Sequence, residues 1–242
     1  MILSIINQKG GVGKTTSTFN LGAILADMGK KVLLIDIDPQ ASLTVSFGLE
    51  VTKSMYNVIC AKEPIENILI NISPNLYIAP SNIDLSIAEL ELVGKMARET
   101  VLNKSLEKIY KNFDYILIDC PPSLSLLTIN ALVASNKVLV SVSTDYLAIK
   151  GLELLINTIN KVKDNLNQSL CLLGIIATMF DKRTNHSREV LELLNSEYKV
   201  LGIINHSVVV KDSTLANIPL VNFAPNHATT KGYIKVAKEI IK

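Results

Sequence analysis

Gln8-Lys9-Gly10-Gly11-Val12-Gly13-Lys14-Thr15-Thr16 follows directly on the apolar run Ile2–Ile6. Residues of these types in this order suit one chemistry, gripping the phosphates of a nucleotide. Gly10, Gly11 and Gly13 let the backbone fold tightly around an anion. Successive N–H groups and the positive end of the following helix then face it. Lys14 would lie along the β- and γ-phosphates, the Thr15 hydroxyl would ligate Mg²⁺, and Thr16 would reach the α-phosphate. The common loop is Gly, four residues, then Gly-Lys-Ser/Thr. Gly13, Lys14 and Thr15 supply its ending, but its first glycine falls on Gln8, and Lys9 is a second lysine.

Two carboxylates stand at the ends of apolar runs. Leu33-Leu34-Ile35-Asp36-Ile37-Asp38-Pro39-Gln40 is one; Ile116-Leu117-Ile118-Asp119-Cys120-Pro121-Pro122-Ser123 repeats the form. Asp and Pro stop a strand. A strand ending in Asp is a usual partner of a phosphate loop, where the carboxylate helps to hold Mg²⁺. That role suits Asp119, while Asp38 is better placed to orient or activate the attacking water. Either aspartate alone would read as a simple turn residue. The order of three motifs, each at a strand end, favours chemistry.

These groups need strands that end at one edge of a sheet. Ile2–Ile6 is short, apolar and β-branched, as a buried strand is. From Thr15 onward, Phe19, Leu21, Ala23, Ile24, Leu25 and Met28 fit a helix stopped near Gly29. Further strands are expected at Val32–Asp36, Leu76–Ala79, Tyr115–Asp119, Val138–Val142, Cys171–Thr178 and Leu201–Ile204. Helices are expected over Leu126–Ala134, Ile149–Val162, Ser187–Tyr198 and Thr229–Ile241. Residues 50–112 are less regular, with Met55–Ala61 and Leu85–Lys111 reading as helical. The alternation implies right-handed βαβ units. The expected fold is α/β: a three-layer P-loop NTPase fold, a mostly parallel twisted sheet with helices on both faces. No linker composition interrupts it, so residues 1–242 read as a single domain.

Composition narrows the classes. The chain of 242 residues is 48% hydrophobic, which suits strands covered on both sides. Mean hydropathy is +0.33, yet no run reaches the ~18 apolar residues of a membrane span. No charged leader precedes the first strand, so no signal peptide is read. Cys60, Cys120 and Cys171 are scattered, with no C-x-x-C, which fits a reduced cytosol and speaks against a metal cluster. The net charge of +2 is too small to indicate nucleic acid by itself.

Lys9–Thr16, Asp36–Gln40 and Asp119–Ser123 together resemble the ParA/MinD superfamily of deviant Walker A ATPases, and most of all the Soj-type ParA DNA-partition ATPases. The resemblance extends through Asp145-Tyr146-Leu147-Ala148, Gly151-Leu152, Thr178–Asp181 and Arg183-Thr184. No N-terminal helix-turn-helix domain of the larger plasmid ParA proteins is read here. The resemblance implies an Mg²⁺-dependent ATPase that hydrolyses ATP slowly. Two subunits bind ATP face to face as a homodimer, and each Lys9 crosses to the other's nucleotide. The dimer would bind DNA non-specifically and be released when a ParB-like, centromere-bound partner stimulates hydrolysis.

Carried over residue by residue, Lys9, Lys14 and Asp38 would be catalytic, and Thr15, Asp38 and Asp119 would serve the metal. Lys9, Gly10, Gly11, Val12, Gly13, Lys14, Thr15 and Thr16 would hold the ATP/ADP phosphates. Thr178, Met179 and Asp181 would flank the adenine, with Asn205, His206 and Val208 as its other wall. Relatives often carry proline and arginine at Asn205 and His206. The DNA surface of the family is basic, but Ser207–Ser213 here has only Lys211. Other candidates are Lys182, Arg183, Arg188, Lys231 and Lys235, with Lys238 nearby. Lys150 stands where relatives commonly have an acid. The implied location is cytoplasmic and nucleoid-associated.

The alternative is a MinD-like ATPase cycling on a membrane. Tyr233, Ile234, Val236, Ala237, Ile240 and Ile241 give the last segment an apolar face, beside Lys231, Lys235, Lys238 and Lys242. Such a helix can lie on a membrane. It can equally pack on the sheet with its lysines snorkelling, which is the reading preferred here. A third class, an iron–sulfur reductase or scaffold, lacks its cysteines.

Overall fold

The computed structural model describes residues 1–242. Its strands are β1 (Ile2–Ile6), β2 (Val32–Asp36), β3 (Ile70–Ser73), β4 (Leu76–Ala79), β5 (Tyr115–Asp119), β6 (Lys137–Ser143), β7 (Cys171–Phe180) and β8 (Val200–Asn205). They form one sheet in the order β3-β4-β2-β5-β1-β6-β7-β8. All pairings are parallel except β3 with β4. The helices are α1 (Lys14–Asp27), α2 (Ser42–Ser46), α3 (Met55–Ile59), α4 (Leu85–Val93), α5 (Val101–Leu106) and α6 (Leu126–Ala134), then α7 (Tyr146–Asn165), α8 (Asn185–Glu197), α9 (Val208–Leu215), α10 (Leu220–Phe223) and α11 (Ala228–Ile241).

Strand alternation divides the core into two layers. Ile2 and Ile6 of β1, with Leu33 and Ile35 of β2, face a core covered by α3 to α8. Leu3, Ile5, Val32 and Leu34 face the opposite way, under α1 and α11. Both faces are covered, which is why the strands are apolar throughout. The expected three-layer P-loop NTPase fold is the one found.

Local differences have local causes. The run read as one helix from Leu85 to Lys111 breaks after α4. Ala97 takes a left-handed conformation (φ 53), and short 3₁₀ turns at Arg98–Thr100 and Tyr110–Asn112 flank α5. Strand β3 was not expected. Its four residues are only partly buried at the sheet's edge, so their hydrophobic signal is weak. Helices α2, α9 and α10 are too short for a helical period to be read from them. In α11, Tyr233, Val236, Ala237 and Ile240 are buried while Lys231, Lys235 and Lys238 are exposed, so its apolar face packs on the sheet. No helix is long and apolar enough to cross a membrane.

Candidate functional site

Strand order puts the motifs side by side. β1 runs between β5 and β6, and Ile5 pairs with Asp119. β2 lies next to β5, and Asp36 pairs with Asp119. The carboxyl ends of β1, β2 and β5 therefore meet, where ligands sit in open α/β sheets.

The loop after β1 is shaped by its glycines and pinned from behind. Gly11 (φ 73) and Gly13 (φ 83) are left-handed, a conformation costly for other residues. The Val12 carbonyl accepts from the Ser141 hydroxyl at 2.7 Å and the Thr178 hydroxyl at 2.8 Å. Asn7 donates to the Ser141 carbonyl at 2.6 Å and accepts the Lys9 N–H at 2.9 Å. Helix α1 starts at Lys14 with no side-chain cap and no acid in its first turn. Its free N–H groups and positive end are thus left for an anion.

Around that helix end, Lys14 is 6% exposed and its ammonium reaches the Lys9 carbonyl at 3.3 Å. Burial pulls its pKa down, while Asp119, Cys120 and Asp38 nearby push it up. Thr15 donates to Asp119 at 2.7 Å, and Thr18 to the other oxygen at 3.3 Å. Asp119 is fully buried, and burial, with Asp36 beside it, holds its carboxyl well above the usual range. Burial likewise raises Asp36 to about 6, against the hydrogen bonds donated by Thr44 and Asp38. Asp38 lines the cavity and accepts the Gln40 N–H at 3.0 Å.

No three ligating side chains form a metal cage. That fits Mg²⁺, which is usually held by one or two protein groups together with phosphate oxygens and water. Asp119, a buried acid driven towards protonation, is a donor that a divalent cation would relieve. Thr15 and Asp119 are placed for it, with Asp38 across the cavity.

Two adjacent cavities are lined by many of the expected ligand residues. The first, about 600 Å³, is lined by Gly10, Gly11, Gly13, Lys14, Thr15, Thr16 and Asp38, with Pro122 and Met179. The second, about 200 Å³, shares Gly13, Thr16 and Met179 with it and is walled by Thr178, Asn205, His206, Val210, Lys211 and Tyr233. Met179 (φ 54) sits where the β7–β8 register slips.

Three expected placements differ. Val208 is 65% exposed, because α9 is N-capped at Ser207 and its period brings Val210 to the cavity wall instead, with the exposed Lys211 at its border. Lys211 thus borders the second cavity rather than standing apart on a basic surface. Asp181 binds the Arg183 guanidinium at 2.6 Å and, with Lys182, lines a neighbouring surface hollow that shares Asn205 and His206 with the second cavity. Arg183 and Lys182 are exposed there; Arg188 donates to Asn185 at 2.6 Å on α8. Lys231 and Lys235 lie on the outer side of α11. The six basic candidates are therefore spread over several elements.

Lys9 is found in its own chain's company. Its ammonium meets Asp145 at 2.8 Å, and both side chains are about two-fifths exposed, 44% and 41%. Ser143 donates to the same carboxylate at 2.5 Å. Burial would raise Asp145, but Lys9 and Ser143 outweigh it and its pKa is lowered.

Sequence reasoning missed the loop's supports. Asn7, Ser141 and Ser143 carry no motif; their only signal was a polar residue just after β1 and two serines inside the otherwise apolar β6. Tyr233 was read simply as part of an apolar helix face.

A family model described as an AAA domain matches residues 1–172. The chromosome-partitioning ATPase Soj of Treponema pallidum (strain Nichols) is 41% identical, over 99% of this chain and 96% of its own. The chain belongs to the Soj/ParA family. Among solved structures, a plasmid partition protein from Borrelia burgdorferi B31 bound to AMPPNP superposes on this Soj/ParA chain with a TM-score of 0.86. It is 29% identical, over 99% of this chain and 98% of that one. Cobyrinic acid a,c-diamide synthase from Mycobacterium smegmatis, with bound ATP analogue and magnesium, gives a TM-score of 0.85 at 33% identity. That match covers 99% of this chain and 93% of that one. Such different proteins on one fold mean that the site, not the fold, must carry a functional claim.

Proposed function

We propose that this Soj/ParA-family chain is a Mg²⁺-dependent ATPase of a DNA-partition system. The observation that carries this is the pair of adjacent cavities, which share Gly13, Thr16 and Met179. One is built from the phosphate loop and Asp38, next to Asp119; the other, beside it, would take the base. In this reading the triphosphate lies on the loop, with Lys14 along the β- and γ-phosphates and the base against Met179, Asn205 and His206. Thr15 and Asp119 would hold Mg²⁺, which would supply charge neutralisation at the transferring phosphoryl group. Asp38 orients the attacking water from across the cavity.

Catalysis depends on a second subunit. Lys9 leaves Asp145 and contributes its charge to the nucleotide of a facing copy, so that turnover requires a dimer. The ATP dimer binds DNA without sequence preference, and a ParB-like partner stimulates hydrolysis and releases it. The exposed Lys182, Arg183, Arg188, Lys231 and Lys235 contribute to that binding, doubled by dimerisation. Residues 1–242 act as one ATPase domain in the cytoplasm, on the nucleoid. The MinD-like alternative is disfavoured by α11, whose apolar face is buried in the core.

A DNA mobility shift with ATP, ADP and no nucleotide, at two salt concentrations, tests the proposal. Retardation only with ATP, weakening steeply with salt, is expected. ATP-dependent sedimentation with liposomes and none with DNA would overturn it.

A further inference from the structure

Asp36 has no part in the mechanism above, yet it is the most enclosed carboxylate on the β2 side of the cavity. Three donors converge on it. One oxygen accepts the Asp38 backbone N–H at 3.1 Å. The other accepts the Thr44 N–H at 2.9 Å and the Thr44 hydroxyl at 2.8 Å. A second route closes the ring. Thr44 Oγ1 accepts the Ser81 N–H at 2.9 Å, and the Ser81 hydroxyl donates to the Asp38 carbonyl at 2.8 Å. Asp36, Thr44 and Ser81 are all buried.

The ring joins the end of β2, helix α2 and the segment after β4. The loop it encloses carries Asp38 and is not relaxed, since Ala41 is left-handed (φ 52). Both backbone polar groups of Asp38 are thereby tied: its N–H to Asp36, its carbonyl to Ser81 and also to the Ala41 N–H at 2.8 Å.

We infer that Asp36 is a positioning residue for hydrolysis, which through Thr44 and Ser81 fixes the backbone from which Asp38 addresses the attacking water. The inference rests on the role given to Asp38 above. An ionised carboxylate offers only acceptors, so it meets all three donors at once. An asparagine would turn an N–H₂ against one of them and leave a buried donor unpaired. Thr44 fits its place equally closely, giving its proton to Asp36 and a lone pair to Ser81.

Asp36 also stands beside Asp119, so its removal would change the charge near the metal as well as the loop. Thr44 variants, assayed well above pH 6 so that Asp36 stays ionised, separate the two effects, because they remove no ionisable group. With the full chain, Thr44→Val is expected to lower kcat for ATP hydrolysis roughly tenfold, while ATP affinity stays within about threefold. Thr44→Ser, which keeps the hydroxyl, is expected to recover most of the loss. Asp36→Asn should lower kcat further, and adding Thr44→Val to it should cost little more, as expected within one network. The chain has no tryptophan. A Val45→Trp reporter, at an exposed position of α2 that borders the first cavity, should therefore show a looser loop, by anisotropy without nucleotide, in the Thr44→Val background.

The inference is overturned if Thr44→Val folds and keeps its kcat, or if it loses kcat and ATP affinity alike with no recovery in Thr44→Ser. Should Asp36→Asn fail to fold, the two Thr44 variants decide alone. Asp38→Ala, assayed in parallel, tells the two readings apart. If that variant still hydrolyses ATP, the role of Asp38 has failed, whatever Thr44→Val does.

Discussion

The two ends of the phosphate loop hold a lysine each, and their surroundings are opposite. Lys14 is 6% exposed, among Asp119, Cys120 and Asp38, at the start of a helix with no cap of its own. Lys9 has a side chain 44% exposed and a single charged partner, Asp145. A buried ammonium amid carboxylates is fixed in one direction, towards the cavity of its own chain. A half-exposed ion pair is worth about 0–1 kcal/mol and is easily given up for a stronger charge. Five residues apart in sequence, the two lysines are thus held differently: one by burial, one by a single half-exposed ion pair.

Substitutions can break or sharpen that contrast. Lys14→Ala is expected to have the largest effect. Removing one member of a buried charge cluster costs about 2–5 kcal/mol, so ATP affinity should drop roughly a hundredfold or more. Titration calorimetry showing normal ATP affinity would remove Lys14 from its role. Asp38→Ala comes next. It should bind ATP as before, lose hydrolysis roughly a hundredfold, and accumulate as a dimer; a monomer in ATP by light scattering contradicts that.

Lys9→Ala should leave the monomer's ATP affinity within about threefold while turnover falls at least about tenfold. Unchanged hydrolysis would make the two ends of the loop equivalent to solvent-exposed bystander and site, with no role across an interface. The smallest effect belongs to Asp145→Asn. Loss of this exposed pair should shift Tm by no more than about 4 °C at neutral pH. Because the Asp145 pKa is lowered in the fold, its contribution is present above the ordinary value of 3.8 and is lost as pH falls through the folded value. The difference between Asp145→Asn and the parent should therefore vanish in acid, as thermal unfolding at several pH values would show.

Much of the site was legible because its residues are local. Gly13, Lys14 and Thr15 are adjacent, and a strand before them and a helix after them follow from periodicity alone. Asp38 and Asp119 were legible for the same reason, each closing an apolar run. Asp145 was noticed only as part of a family resemblance, since nothing near it in sequence marks it as the partner of Lys9. Val208 was misplaced because α9 is eight residues long, too short for its phase to be read. Helix Leu85–Lys111 was over-read because apolar spacing does not reveal the left-handed turn at Ala97.

What the sequence determined by itself was the kind of ligand and the class of fold. Glycines, lysine and threonine in fixed order, with strands apolar on both faces, need only neighbouring residues to state their preference. What the tertiary structure decided was which distant groups meet. The strand order sets Asp119 beside β1, and Asp36 beside Asp119. Ser141 and Thr178 clamp the Val12 carbonyl from more than 120 positions away, at separations of 129 and 166. Asp145 reaches Lys9 over a separation of 136. Such contacts depend on sheet order and register, which arise from the packing of the whole chain and leave no mark on any one segment.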